Sequence, residues 1–266
     1  MKQPSSSASS RYDDQHVAFA AALADRARDV MKSALAERPS IELKPDSSYV
    51  TDTDKGIERA LRQMIEKAYP SHGIVGEEYG DHNVSAEHVW VLDPIDGTAA
   101  WVAGIPVYGT LISVAQGGRP LTGVIDLPAT GERLTGIVGR GAWHNGAPVR
   151  CRKGVALADA YMTSSNPRFV PEADRAAFAR LDQAVQFTQY GGSCYAYGCL
   201  ARGRTDLAVD AGFDAYDLFA PTAIIEGAGG IVTDWAGKKL DLGWQGRVVA
   251  AGDADLHGRA LGLLAE

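Results

Sequence analysis

The chain has 266 residues, 45% of them hydrophobic and 22% charged, with a formal net charge of −7. That length supports one large domain or two close-packed lobes whose core needs neither disulfides nor structural metals to fold. The acidic balance argues against a nucleic-acid or anionic-membrane surface, and no stretch approaches the ~18 apolar residues of a membrane span.

The opening MKQPSSSASSRYDD is polar and has no apolar run, so a flexible arm is expected over residues 1–12, followed by a single unit over 13–266 with lobes of about 13–150 and 151–266. From Asp14 to about Leu35, Val17, Leu23, Val30 and Met31 fall among charges at helical intervals. A second helix is capped by Thr51 or Asp52, carries Ile57, Leu61, Met64, Ile65 and Ala68 on one face, and stops at Tyr69-Pro70. Gly73-Ile74-Val75 then leads into Gly76-Glu77-Glu78, a polar loop to Glu87 and a strand through Val89–Leu92. Segments 110–115, 121–127 and 133–138 read as antiparallel strands joined by glycine-containing turns, and Asn145-Gly146 is a hairpin signal. Beyond Cys151, helix and strand alternate. Strands are expected at 161–164, 185–190 and 205–210, and a helix at 172–181. Further helices are capped by Ser193 and by Asp217, the latter ending at Gly227-Ala228-Gly229-Gly230. Helices layered on mixed and antiparallel sheets give an α+β layered sandwich. Three cysteines, Cys151, Cys194 and Cys199, cannot all pair and lack metal-ligand spacing, which points to a reducing, cytoplasmic setting.

The chemistry concentrates in Asp93-Pro94-Ile95-Asp96-Gly97-Thr98. A proline-locked turn after the strand can bring both carboxylates to one side and leave the Ile95 carbonyl outward, a set of hard oxygen donors suited to Mg²⁺. Gly97 and Thr98 open a helix whose unpaired N–H groups favour an anion. Each acid alone also has a plainer explanation. Asp-Pro and Asp-Gly are common turn pairs, Glu77-Glu78 fits a solvated loop, Asp217 fits an N-cap, and Asp54 suits the dipole of its helix.

Taken together, Lys44, Val50-Thr51-Asp52-Thr53-Asp54, Gly76-Glu77-Glu78, the Asp-Pro-Ile-Asp-Gly-Thr core, Gly192-Ser193, the segment from Asp210 to Asp217 and Gly227-Ala228-Gly229-Gly230 resemble the inositol monophosphatase family of metal-dependent phosphomonoesterases. The resemblance implies an αβαβα sandwich, a homodimer, a small phosphorylated metabolite as substrate and two or three Mg²⁺ ions per active site. It also implies that Glu77, Asp93, the Ile95 carbonyl, Asp96 and Asp217 are metal ligands, with Asp54 serving the weakest site. Glu77 and Thr98 would position the attacking water, the Gly97 and Thr98 N–H groups would hold phosphate, and Lys44 would support the site electrostatically.

A narrower likeness, to histidinol-phosphate phosphatases of the family, lies in residues 190–198, in Tyr216-Asp217, and in residues 225–230 with Thr233-Asp234-Trp235. It implies substrate contacts at Asp96, Gly192, Ser193, Asp210 and Asp217. Two positions depart from that subgroup: Ser193 stands where an aspartate is usual, and Asp210 where glutamate is usual. Histidinol phosphate is therefore the leading substrate and inositol monophosphate the second; the leucine usual in the nucleotide-phosphatase branch is replaced by Ile95. A catalytically silent binder of the same fold is the alternative outside enzymes, and the intact acidic set speaks against it. His72, His82, His88 and His144 lack ligand spacing and are expected to be structural or solvated.

Overall fold

The computed structural model describes residues 6–34, 40–43 and 49–265, and for residues 6–14 the backbone alone. Helix α1 spans Ser6–Ala34, so the backbone from Ser6 to Tyr12 is helical where an arm was expected. Its buried face, Ala20, Leu23, Ala24, Ala27 and Met31, repeats at helical spacing and is mostly alanine, which allows close approach to a sheet. Strands β1 (Ile41–Leu43) and β2 (Tyr49–Thr51) form a small antiparallel pair ahead of α2 (Asp52–Ala68). Thr51, not Asp52, is the N-cap of α2, in a reciprocal box with Asp54.

Strands β3 (Gly73–Gly76) and β4 (His88–Asp96) pair in parallel. After the short helix α3 (Thr98–Ala103), β5 (Gly109–Gln116), β6 (Arg119–Leu127), β7 (Glu132–Ile137), β8 (Gly141–His144) and β9 (Ala147–Val149) extend the sheet antiparallel, in the order β3-β4-β5-β6-β7-β8-β9. Asn145 and Gly146 close the β8–β9 hairpin with φ of 48° and 80°, the left-handed conformation a two-residue turn of this kind needs.

The second sheet starts with β10 (Tyr161–Ser164), followed by α4 (Arg175–Ala184), β11 (Phe187–Tyr190), α5 (Ser193–Ala201), β12 (Leu207–Phe213) and α6 (Ala215–Gly227). It is completed by β13 (Ile231–Thr233) and β14 (Gly246–Ala251), before the last helix α7 (Ala254–Ala265). Its strand order is β11-β10-β12-β14-β13. The helix expected from Glu172 starts at Arg175, behind a 3-10 turn over Glu172–Asp174.

Strand alternation decides the layering. Trp90, Leu92, Ile112 and Val114 face α1 and α2, while Val89, Val91, Leu111 and Ala115 face α5 and α6. In the second sheet Ala208, Val248 and Ala250 face α5 and α6 from the other side, and Leu207, Val209, Val249 and Ala251 face α4 and α7. The result is an αβαβα sandwich. The central helix α6 lies hard on the first sheet: a Cβ on Gly123 would come within 2.4 Å of the Ala220 carbonyl oxygen, and one on Gly136 within 2.4 Å of the Ile224 Cα. These two glycines are cross-strand partners, so together they make the flat seat for the helix. No helix among the described residues is long and apolar enough to cross a membrane.

Candidate active site

The two aspartates of the Asp-Pro-Ile-Asp segment lie within β4, where a turn was expected. Asp93 pairs with Leu111 and Asp96 with Gly109, so one extra residue is inserted between them and the strand bulges. The bulge resets the alternation. Asp93 continues the side of Val89 and Val91, Ile95 turns into the core beside Trp101 and Tyr108, and Asp96 returns to the side facing α5. The Thr110 hydroxyl donates to the Pro94 carbonyl at 2.8 Å and the Thr98 hydroxyl to the Ile95 carbonyl at 2.9 Å, which fixes the bulge.

Gly97 follows with φ of 78°, and the first hydrogen bonds of α3 run from Ala100 and Trp101 to its carbonyl. The Gly97 and Thr98 N–H groups therefore lie ahead of the helical ladder. A Cβ on Gly97 would meet the Ser193 Oγ at 2.4 Å, so the Ser193 hydroxyl rests against this backbone. Ser193 does not cap α5 with its side chain. Gly192 takes the N-cap position, Ser193 adopts a φ of 46°, and the Cys194 N–H donates to Asp96 Oδ2 at 2.5 Å. The N-cap of α6 is likewise Asp214 rather than Asp217; Asp217 sits one turn in and accepts the Asp214 N–H at 2.7 Å.

One carboxylate oxygen of each of Asp93, Asp96 and Asp217 lies within 4.8 Å of the other two. Asp93 is 2% exposed and its Oδ1 has no hydrogen-bond partner among the described residues. Burial holds the Asp93 carboxyl well above the usual carboxylate range, and the negative charges of Glu77, Asp96, Asp217 and Asp54 act in the same direction. Burial also raises Asp217 and Asp96, the latter against the opposing Cys194 N–H. Asp54, wholly buried, is pushed up to about 6 by burial although Thr51 donates to it, and its Oδ1 faces the Thr98 hydroxyl at 3.3 Å. Hard oxygen donors, an orphaned buried acceptor and mutual repulsion fit a divalent cation such as Mg²⁺.

Glu77 stands in the turn after β3, its N–H on the Leu92 carbonyl at 3.3 Å. Asp210 is 4% exposed and accepts from the Tyr197 hydroxyl at 2.7 Å, the Ser165 N–H at 2.7 Å and the Ser164 hydroxyl at 3.1 Å; burial raises it to about 6. Lys44 lies outside the described residues. Two features were not foreseen. Glu58 and Arg62 on α2 reach under the Glu77 turn, and an acid at Glu58, between Ile57 and Leu61 on the buried face, was the available signal. His16, His72 and His88 cluster with ring centroids 5.2–5.5 Å apart, through a helix whose N-terminal half gave no histidine pattern.

Residues 13–266 match the model of the inositol monophosphatase family. The chain belongs to that family. Members are metal-dependent phosphatases acting on small phosphate esters, and the protein is a metal-dependent phosphoric monoester hydrolase. Among inositol monophosphatase family relatives, the bifunctional phosphatase IMPL2, chloroplastic, of Arabidopsis thaliana is 40% identical over 93% of this chain and 74% of its own length. A histidinol-phosphatase of Mycobacterium tuberculosis is 32% identical over 85% and 89% of the two chains. The solved inositol monophosphatase of Zymomonas mobilis superposes with a TM-score of 0.86 at 36% identity, covering 95% of this chain and 98% of that one.

Proposed function

We propose that the protein is a Mg²⁺-dependent histidinol-phosphate phosphatase. In this reading Glu77, Asp93, the Ile95 carbonyl, Asp96 and Asp217 hold metal, Asp54 serves a weaker site, and two or three ions take part. The observation that carries its metal dependence is the convergence of Asp93, Asp96 and Asp217, each with one carboxylate oxygen within 4.8 Å of the others, together with a buried Asp93 whose Oδ1 has no hydrogen-bond partner among the described residues. Bound Mg²⁺ supplies a Lewis acid that makes water a better nucleophile near neutral pH and offsets charge on the departing alkoxide. The chain's own groups do the rest. Gly97 and Thr98 N–H groups hold the phosphoryl oxygens, and Glu77 and Thr98 orient the attacking water. The Thr98 hydroxyl bridges the Ile95 carbonyl and Asp54. The family resemblance assigns supporting positive charge to Lys44, which lies outside the described residues.

For the alcohol part, the Mycobacterium histidinol-phosphatase supports a histidinol ester. Asp210, sequestered beneath Tyr197, Ser164 and Ser165, supplies negative charge toward a substrate ammonium, and Gly192, Ser193, Asp96 and Asp217 complete the contacts. A second reading, inositol 1-phosphate, is favoured by the neutral Ser193 hydroxyl against Gly97, which suits a polyol. The reading includes a homodimer in the cytoplasm serving histidine biosynthesis. Phosphate release from histidinol phosphate, inositol 1-phosphate and an aryl phosphate, each with Mg²⁺ and with chelator, tests it. A rate on histidinol phosphate at least ten times the others is expected; a faster rate on inositol 1-phosphate selects the second reading.

A further inference from the structure

Helix α2 points two wholly buried acids, Asp54 and Glu58, one turn apart toward the site. Asp54 faces Thr98, whereas Glu58 faces the backbone that carries Glu77. The Glu58 carboxylate accepts the Glu78 N–H at 2.7 Å and the Tyr79 N–H at 3.1 Å, and Arg62 Nε at 2.7 Å balances its charge. A Cβ on Gly76 would lie 2.1 Å from Glu58 Oε1 and 2.7 Å from Arg62 Nη2, so the ion pair occupies the space under that glycine. Arg62 Nη2 also donates to the Gly80 carbonyl. The residues after Glu77 are thus hydrogen-bonded by one buried ion pair that also packs under Gly76, while the Glu77 N–H is tied to the Leu92 carbonyl of β4.

We propose that Glu58 is a positioning residue for metal binding: it sets the Glu77 carboxylate relative to Asp93, with Arg62 as its counter-charge. The inference rests on the metal reading above. An ordinary turn of two acids repels itself and relaxes toward solvent; a clamp of three charge-assisted hydrogen bonds holds it in register with β4. Because Arg62 neutralises Glu58, the clamp adds no further negative charge to a cluster already crowded with carboxylates. Outer groups of this kind typically change metal affinity or activity by about 10–100-fold when removed.

The test is Mn²⁺ binding to the full-length protein, followed by electron paramagnetic resonance, alongside kcat and KM. Glu58→Gln keeps the shape but turns an amide toward donors, and is expected to weaken Mn²⁺ binding at least ~10-fold and lower kcat with little change in substrate KM. Gly76→Ala, which displaces the carboxylate from the other side, is expected to do the same and serves if Glu58→Gln does not fold. Leu61→Ala, a core truncation on the same helix, is expected to lower Tm without changing Mn²⁺ affinity. Wild-type Mn²⁺ binding in both Glu58→Gln and Gly76→Ala overturns the proposal, as does an equal loss of affinity in Leu61→Ala. Asp93→Asn distinguishes the two levels. If it loses Mn²⁺ while Glu58→Gln and Gly76→Ala do not, the positioning role alone fails; if the wild type binds no Mn²⁺, the metal reading fails and the proposal with it.

Discussion

Asp93→Asn should invert its effect on stability when metal is added. The change conserves shape and removes one buried negative charge. At the 4.8 Å limit that encloses the Asp93, Asp96 and Asp217 oxygens, two unit charges repel by ~3.5 kcal/mol at an effective dielectric of about 20. Burial and mutual repulsion raise the Asp93 and Asp217 carboxyls, which favours proton uptake by the cluster and sheds part of that repulsion. A net relief of ~1–3 kcal/mol remains, a rise in Tm of roughly 2–8 °C for a chain of this size. Excess Mg²⁺ reverses the order. At a hundred times Kd the wild type gains ~2.7 kcal/mol, while a variant that binds weakly gains little. Thermal unfolding in chelator and in excess Mg²⁺ reads both arms, and turnover should be nearly abolished. A variant that melts below wild type in chelator, or that gains as much from Mg²⁺, would refute the reasoning.

Three further outcomes are expected. Folding holds His16 neutral: burial first, then His88 and His72, push its pKa from 6.5 down to about 4, so the unfolded chain binds more protons between those values. Stability therefore rises with pH through that window and is lost as pH falls, and His16→Phe, which keeps the ring contacts, should remove ~1–2 kcal/mol of that dependence in denaturant titrations at pH 7 and pH 4.5; identical pH profiles would count against it. Gly123→Ala forces a methyl onto the Ala220 carbonyl and should cost about 1–3 kcal/mol, visible as a lower midpoint with unchanged slope in urea, and a neutral result would contradict the tight α6 seat. Asp210→Asn should raise KM for histidinol phosphate at least tenfold more than for an aryl phosphate; equal changes would make Asp210 purely structural.

Much of the fold was legible because β4 and β5 are nearly continuous apolar runs, buried on both faces with Trp90 and Leu92 on one side and Val89 and Val91 on the other. The layer order itself came from the family resemblance. What periodicity missed was local. Asp-Pro reads equally as a turn or a bulge, and the choice depends on a neighbour: β3 pairs with β4 only as far as Leu92, so Pro94 falls where the strand has no partner on that side and its missing N–H costs nothing. Ser193 was expected to cap α5 because its residue type favours that role, yet Gly192 takes the position and Ser193 is turned to φ 46° beside Gly97. That placement is tertiary, set by the contact between α5 and the end of β4.

The site was harder to read because every acid in it has a sufficient local explanation. Asp54 completes a capping box with Thr51, and Asp217 does the corresponding service for Asp214. Cap and ligand looked like alternatives in the sequence. In the fold they are compatible, because a carboxylate has two oxygens: Asp54 takes the Thr51 N–H on Oδ2 and turns Oδ1 to Thr98, and Asp217 spends Oδ2 on the Asp214 N–H. A cap of this kind fixes the rotamer of the acid it uses, so the hydrogen bond that ends the helix also aims the free oxygen. The same economy recurs at Asp96, where the Cys194 N–H at the start of α5 holds one oxygen. Asp54 and Asp217 are thus oriented by their own helices before topology brings them together, whereas Asp96 is held by a tertiary contact with α5. A cluster built that way needs a cation for its charge but not for its shape, which is why neutralising Asp93 should relieve the fold while disabling the chemistry.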